Sequence, residues 1–395
     1  MPIKTRLDIA ILRKFTAIAN NLKKAGGIAT QTTNKTTDFP DLAKISASVQ
    51  PSKNQHSEEK NPFAGWSTLH LAAWRGQLPL LEELLKQGSD INTLDPEGLT
   101  PLSRSVWQGH DEVINRLLEQ NADPNLSAKG SPTPLLLACR KNNLPIAQLL
   151  IEHGAKVNAT TNSGITPIHM AIEHKNQPLI NLLIEHGANL SKATDDGISP
   201  LIMAVVKRQS NTVHALLAKG ASPNQADTKG HSPLYYAIET GHKNIFHQLL
   251  KAGAKADQLT KEGLSPMMQA ASLGHADFVK ELLPYEKDVD RLSSNGNTAL
   301  MLAAGSGSLN TVNILLRYSF SLEYKNAAGN TALMLAAEQG HLDIVKRLME
   351  LNANAHQLNL RRESAIDLAK RGKHKEVADY IEAHKGSGGL LDFMR

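Results

Sequence analysis

Ten hydroxyl residues stand 33 positions apart without a slip: Ser67, Thr100, Thr133, Thr166, Ser199, Ser232, Ser265, Thr298, Thr331 and Ser364. From Thr100 to Ser265 each is followed by Pro and then Leu, Ile or Met; the last three are followed by Ala and an aliphatic residue. A fixed period of this length predicts a solenoid, in which each unit buries its apolar side only against its neighbours. Such a stack builds no closed pocket around one global core. The pattern therefore favours a binding scaffold over an enzyme before any site is considered.

The rest of the unit keeps the same beat. Alanine recurs five residues after the hydroxyl, from Ala72 to Ala369, where a small side chain lets two helices approach closely. Glycine recurs nine residues after it, as at Gly76, Gly109 and Gly340, often followed by His, and reads as a left-handed helix stop. A second apolar helix follows, ending in Leu-Leu pairs such as Leu84-Leu85 and Leu249-Leu250, and then Gly-Ala, as in Gly154-Ala155. Another Gly precedes most of the hydroxyls by two, as at Gly98, Gly164 and Gly197, and marks a tight turn at a finger tip. The hydroxyl caps a helix and the Pro stands at its first position, where no N–H is needed. The unit is finger, short helix, stop, longer helix, loop.

Gly164-Ile165-Thr166-Pro167-Ile168-His169, with the phased Ala, Gly-His, Leu-Leu and Gly-Ala, closely resembles the ankyrin repeat family. The resemblance covers about ten repeats over residues 61–383. It implies an all-α repeat solenoid of helix-turn-helix units with short β-hairpin fingers, stacked into a curved array that binds a partner protein on its concave face. It also implies that the imidazoles of His70 and His169 bridge backbone groups of neighbouring units.

Charge divides unevenly. Residues 1–60 carry ten Lys/Arg and five Asp/Glu, which leaves 33 of each sign in residues 61–395. The array is neutral, so the basic balance does not supply the stripe that nucleic-acid binding wants, and no nucleic acid is expected as a partner. Residues 1–27 read as a basic amphipathic helix, with Ile3, Leu7, Ile11, Phe15, Ile18 and Leu22 on one stripe, stopped by Gly26-Gly27. Residues 28–60 read as a polar linker and 384–395 as a C-terminal tail. Three roles stand for the helix: covering apolar surface near the first repeat, a weak contact with an anionic membrane or a partner groove through residues 3–24, or organelle targeting. Asp8, Arg13 and Lys14 interrupt the apolar run and argue against a secretory signal. The single Cys139 excludes an internal disulfide framework and suits a cytoplasmic location. The alternative is an effector delivered into a host cell by a non-classical route.

Catalysis finds no support. Most of the histidines occupy repeat slots, no zinc-ligand spacing or phosphate-binding Gly loop occurs, and no metal or cofactor is expected. In the family's architecture the concave face is built from positions one, three and four before the hydroxyl and seven and eight after it. The three tryptophans, Trp66, Trp74 and Trp107, fall in such slots, all in the first two repeats. Arg75, Arg140 and Lys141 share those slots, and Arg104 takes a first-helix slot filled mostly by Leu or Met elsewhere. Trp and Arg dominate interface hot spots, so these seven are the candidate partner-binding residues. A second reading has Trp66 and Trp74 closing the open end of the array. Further along, slots seven and eight hold no aromatic residue, and the face is expected to become blander. A joint is expected near 284–292, where Pro284 follows Leu282-Leu283 and Glu286-Lys287 replaces Gly-Ala.

Overall fold

Each unit starts at its periodic hydroxyl, one residue ahead of a helix. The computed structural model describes residues 63–385 apart from Ser319, and these form ten helix pairs. The inner helices are α1 (Thr68–Arg75), α3 (Pro101–Gln108), α5 (Pro134–Arg140), α7 (Pro167–Glu173), α9 (Pro200–Val206), α11 (Pro233–Glu239), α13 (Pro266–Ser272), α15 (Ala299–Ser306), α17 (Ala332–Gln339) and α19 (Ala365–Arg371). The outer helices are α2 (Leu78–Lys86), α4 (Asp111–Glu119), α6 (Leu144–Glu152), α8 (Gln177–Glu185), α10 (Ser210–Ala218), α12 (Lys243–Lys251), α14 (Ala276–Leu282), α16 (Leu309–Leu316), α18 (Leu342–Glu350) and α20 (Lys375–His384). The helix predicted in residues 3–24, the linker at 28–60 and most of the tail lie outside the described residues.

The hydroxyls cap as predicted. Thr100, Ser199, Ser265 and Thr298 each accept the backbone N–H three residues on, at 3.1–3.2 Å. Every inner helix packs on its own outer helix and on the inner helix of the next unit. The phased alanines make this possible: Ala72, Ala138, Ala171 and their counterparts through Ala369 have no exposed surface. The second repeat has Ser105 instead, whose hydroxyl is buried and donates to the Leu102 carbonyl at 2.9 Å. One continuous apolar core results, from Leu69 to Ile381.

The fingers are present, but no β-strand forms among the described residues. Each is a closed turn instead. In the second repeat and from the fourth on (in the third, Ala128 donates to the Gly98 carbonyl at 2.9 Å instead), the residue five before the hydroxyl donates its N–H to the carbonyl of the residue one before, as in Thr194 to Ile198 at 3.1 Å. Its side chain accepts the reverse N–H, in Asp95, Thr161, Thr194, Asp227, Thr260, Ser293, Asn326 and Asn359. Adjacent fingers then share one backbone bond, such as Thr228 N–H to Asp196 O at 3.1 Å or Lys261 N–H to Lys229 O at 3.0 Å. One bond per pair is too sparse for a sheet ladder. Below the fingers, Asn125, Asn158 and Asn224 staple the loops, each accepting an N–H from the next repeat at 2.7 Å and donating to a Gly carbonyl there at 3.0 Å.

The helix stop is more general than glycine. Gly76, Gly109, Gly241 and Gly340 take the left-handed conformation, and so do Asn142, Lys175, Arg208 and Lys373 in the same slot. Imidazoles lock this corner across units: His110 Nε2 donates to the Trp74 carbonyl at 2.9 Å and His341 Nε2 to the Gly305 carbonyl at 3.2 Å.

At Pro284 the outer helix is cut short. α14 spans seven residues and passes into a 3₁₀ turn, Leu283–Tyr285. Glu286 is extended (φ −82°, ψ 117°), whereas Gly88, Asn121, Gly154, Gly187, Gly220, Gly253 and Asn352 are left-handed in the corresponding slot. At the joint expected there the helix rows stay in contact. α13 packs on α15, α14 packs on α16, and Phe320 is buried in the following repeat where other units place Ala.

His169 ties its unit to the next. Its Nε2–H donates to the Ile198 carbonyl at 3.1 Å, which leaves Nδ1 to accept from Thr166 Oγ1 at 2.7 Å and the Thr166 amide at 3.3 Å. His70 bridges Ser67 and the Leu99 carbonyl in the same way. This is a neutral imidazole, and burial brings the His169 pKa down to about 4, against the opposing pull of the Ile198 carbonyl.

Two predictions follow from this architecture. Gly197 and Gly220 both have positive φ, but a Cβ on Gly197 would lie 2.6 Å from the Thr228 nitrogen of the next finger, and one on Gly220 would meet no atom within 4 Å. Each Gly→Ala change costs about 1 kcal/mol in backbone strain; Gly197→Ala should lose a further ~1–3 kcal/mol in urea unfolding. Equal losses would show that finger stacking tolerates the extra atom. The second concerns pH. The unfolded imidazole titrates near 6.5, so between about 6.5 and 4 the unfolded chain takes up a proton that folded His169 refuses. Stability present above the upper value is lost as pH falls through that window, by on the order of 3 kcal/mol at most. His70, lowered by burial as well, adds to the same slope. His169→Gln should flatten the dependence of unfolding free energy on pH between 6.5 and 4.

Candidate functional site

The three tryptophans and four cations chosen from the repeat slots do not form one patch. They separate into one cluster around Trp66 and another around Trp107.

Trp66 precedes α1, held by its N–H to the Phe63 carbonyl at 3.1 Å. Its half-buried ring meets Phe63 edge-on at 5.2 Å and Trp74, from the last turn of α1, edge-on at 5.6 Å. The Arg104 guanidinium lies over the Trp66 ring at 3.8 Å. Arg104 is not at the surface: it is 1% exposed. Its Nε donates to Asp95 Oδ2 at 2.6 Å, and one terminal nitrogen reaches Asp95 Oδ2 at 2.5 Å and Glu97 Oε2 at 3.0 Å. Asp95 also accepts N–H bonds from Glu97 and Leu99, so both carboxylate oxygens are used. The assignment of Arg104 to a partner-binding surface is therefore corrected. A cation in the middle of the inner helix finds the acid of its own finger and braces Trp66 from below.

Trp107, Arg140 and Lys141 form the second cluster. Trp107 ends the second repeat's inner helix, half-buried and seated on the core. The Lys141 ammonium lies 4.1 Å and the Arg140 guanidinium 5.1 Å from its ring centre. Burial depresses the Arg140 pKa; burial and the Arg140 charge depress that of exposed Lys141. Two cations are thus crowded on one ring. Arg75 is exposed at the end of α1.

The face does not become bland. In the sixth repeat His231 stacks on Tyr235 at 4.0 Å with rings 5° from parallel, and Tyr236 meets both edge-on. Slots seven and eight could not reveal this, because these rings come from one before, three after and four after Ser232. The adjacent pair Tyr235-Tyr236 was the available signal.

Among the described residues no group of His, Cys, Asp or Glu is arranged to hold a metal ion, and no helix is long and apolar enough to cross a membrane. Burial raises the Cys139 thiol to about 12, as befits a small core residue. His169, Glu173 and His174 do not converge: His169 faces Thr166 and Ile198, and His174 Nε2 donates to the Arg140 carbonyl at 2.9 Å.

A family model of ankyrin repeats in three copies matches residues 39–128, 127–194, 189–260 and 244–326, and a second, of many copies, matches 317–369. No curated protein matches the chain at a significant level.

The division between the clusters is measurable. Arg104→Met leaves Asp95 buried without its counter-ion and should cost ~3–5 kcal/mol in chemical unfolding. Lys141→Ala, at an exposed position, should change it by less than about 0.5 kcal/mol.

Proposed function

The chain belongs to the ankyrin repeat family, whose arrays are protein-interaction modules, and on that premise we propose a non-catalytic scaffold that binds a partner protein. Its grip lies on the concave side of the first three repeats, at Trp74, Arg75, Trp107, Arg140 and Lys141. The observation that carries this reading is the pair of cations over the Trp107 ring. Trp107 supplies apolar area at low entropic cost, and the desolvated charges favour an acidic group on the partner. Trp66 and Arg104 position this surface from within. The buried lone thiol of Cys139 suits a reducing compartment such as the cytoplasm.

The basic composition of residues 1–60 supports a second reading, in which the array belongs to a translocated effector and recruits a host protein. Removing residues 1–60 would then abolish delivery and leave capture intact.

The test is affinity capture with the full chain, followed by calorimetry on the identified partner. Lys141→Glu combined with Trp107→Ala should weaken binding by about 2 kcal/mol or more, roughly 30-fold. Lys141→Glu alone should weaken it while leaving the melting temperature unchanged. Because Trp107 rests on the core, the double variant is judged against its own melting curve. Undiminished affinity in both variants would overturn the assignment.

A further inference from the structure

The second and sixth repeats share a device. Asp95 and Asp227 each stand five residues before the hydroxyl, and each accepts two finger N–H groups on Oδ1. On Oδ2 each takes a donor from the inner helix, four after the hydroxyl. In the second repeat that donor is Arg104, whose guanidinium also lies on an aromatic ring and a second carboxylate, Glu97. The molecule thus shows what this combination of aromatic face and paired acids holds.

In the sixth repeat the parts are present without the cation. Tyr236 donates its hydroxyl to Asp227 Oδ2 at 2.8 Å, and His231 Nδ1 lies 3.4 Å from the same oxygen. Tyr235, stacked on His231, feels the Glu239, Glu262 and Asp227 carboxylates, and its own hydroxyl makes no hydrogen bond among the described residues. Glu239 and Glu262 are exposed, and neither has an ion-pair partner among the described residues. The basic groups that act on Glu239 are Lys229 and His231, both too far to pair with it. Beside this group, in the slot of the next inner helix that matches Tyr236, Gln269 is 6% exposed, and its side-chain amide makes no hydrogen bond among the described residues. Although Glu239 lies at the surface, the neighbouring groups partly desolvate its carboxylate, and with Asp227 nearby this holds its carboxyl above the ordinary range.

We propose that the ring cluster His231, Tyr235 and Tyr236, flanked by Glu239 and Glu262, is a second contact surface that receives an arginine side chain of a basic partner segment. Charge complementarity selects the occupant: two carboxylates without counter-ions beside aromatic rings fit a planar guanidinium, which stacks and accepts paired carboxylate contacts together. The proposal rests on the scaffold reading, and it assigns the array two contact regions of opposite preference. The cations over Trp107 select acidic groups, and the sixth repeat selects basic ones.

The test uses the full chain and a defined probe. N-acetyl-arginine amide is titrated while the tyrosine ring signals are followed by NMR, with N-acetyl-citrulline amide as the neutral isostere. Saturable shifts at Tyr235 with arginine but not citrulline are expected. Glu239→Gln with Glu262→Gln should weaken that response roughly five-fold. Equal responses to the two probes, no saturable response to arginine, or an unaltered response in the double glutamine variant would each overturn the proposal. None of these results depends on partner capture at Trp107, so failure here and failure of the scaffold reading are separate outcomes.

Discussion

Close approach of neighbouring inner helices is the constraint from which the rest of the array derives. It requires a side chain no larger than alanine or serine five residues after each hydroxyl, and every such residue is wholly buried. That spacing brings the fingers near enough to share a backbone bond, and it leaves no room for a side chain at the glycine two before the hydroxyl: a Cβ on Gly197, Gly230 or Gly296 would lie under 3 Å from the next finger's backbone. It also sets the side chains of slots seven and eight in a row. A solenoid has little else to fix its surface, since each unit touches only its neighbours.

Features that act within a few residues were legible in the sequence. A capping hydroxyl, a proline at the first helical position and a left-handed glycine each do their work locally, so their spacing told the architecture. Features that depend on how a finger folds onto its helix, or on a partner 30 residues away, were not. Arg104 reads as an exposed cation by slot, and only the folded finger shows that Asp95 waits for it nine residues earlier. The staples made by Asn125, Asn158 and Asn224 do fall at multiples of 33 residues, but an asparagine in a loop has too many local uses for its spacing to name its partner. The left-handed stops at Lys175 and Arg208 were hidden for another reason: cooperative packing holds an L residue where sequence rules look for glycine.

Pro284 separates local from tertiary effects. The helix does end early, as a missing amide demands, and the turn after it takes a different path from its counterparts. Yet helix rows on both layers stay in contact across the break. A proline near a helix end removes little that its neighbours were using, and Phe320 fills the alanine slot that follows.

The pairing of one finger acid with two different inner-helix donors has a further consequence. Arg104 and Tyr236 differ in charge, size and donor count, yet both satisfy the same carboxylate from the same helical slot. The acid acts as a socket that accepts interchangeable plugs. Surface chemistry can then be rewritten unit by unit through substitutions at a single helix position, with the stacking distance untouched, and an array of identical backbones can come to carry a sequence of unlike contacts.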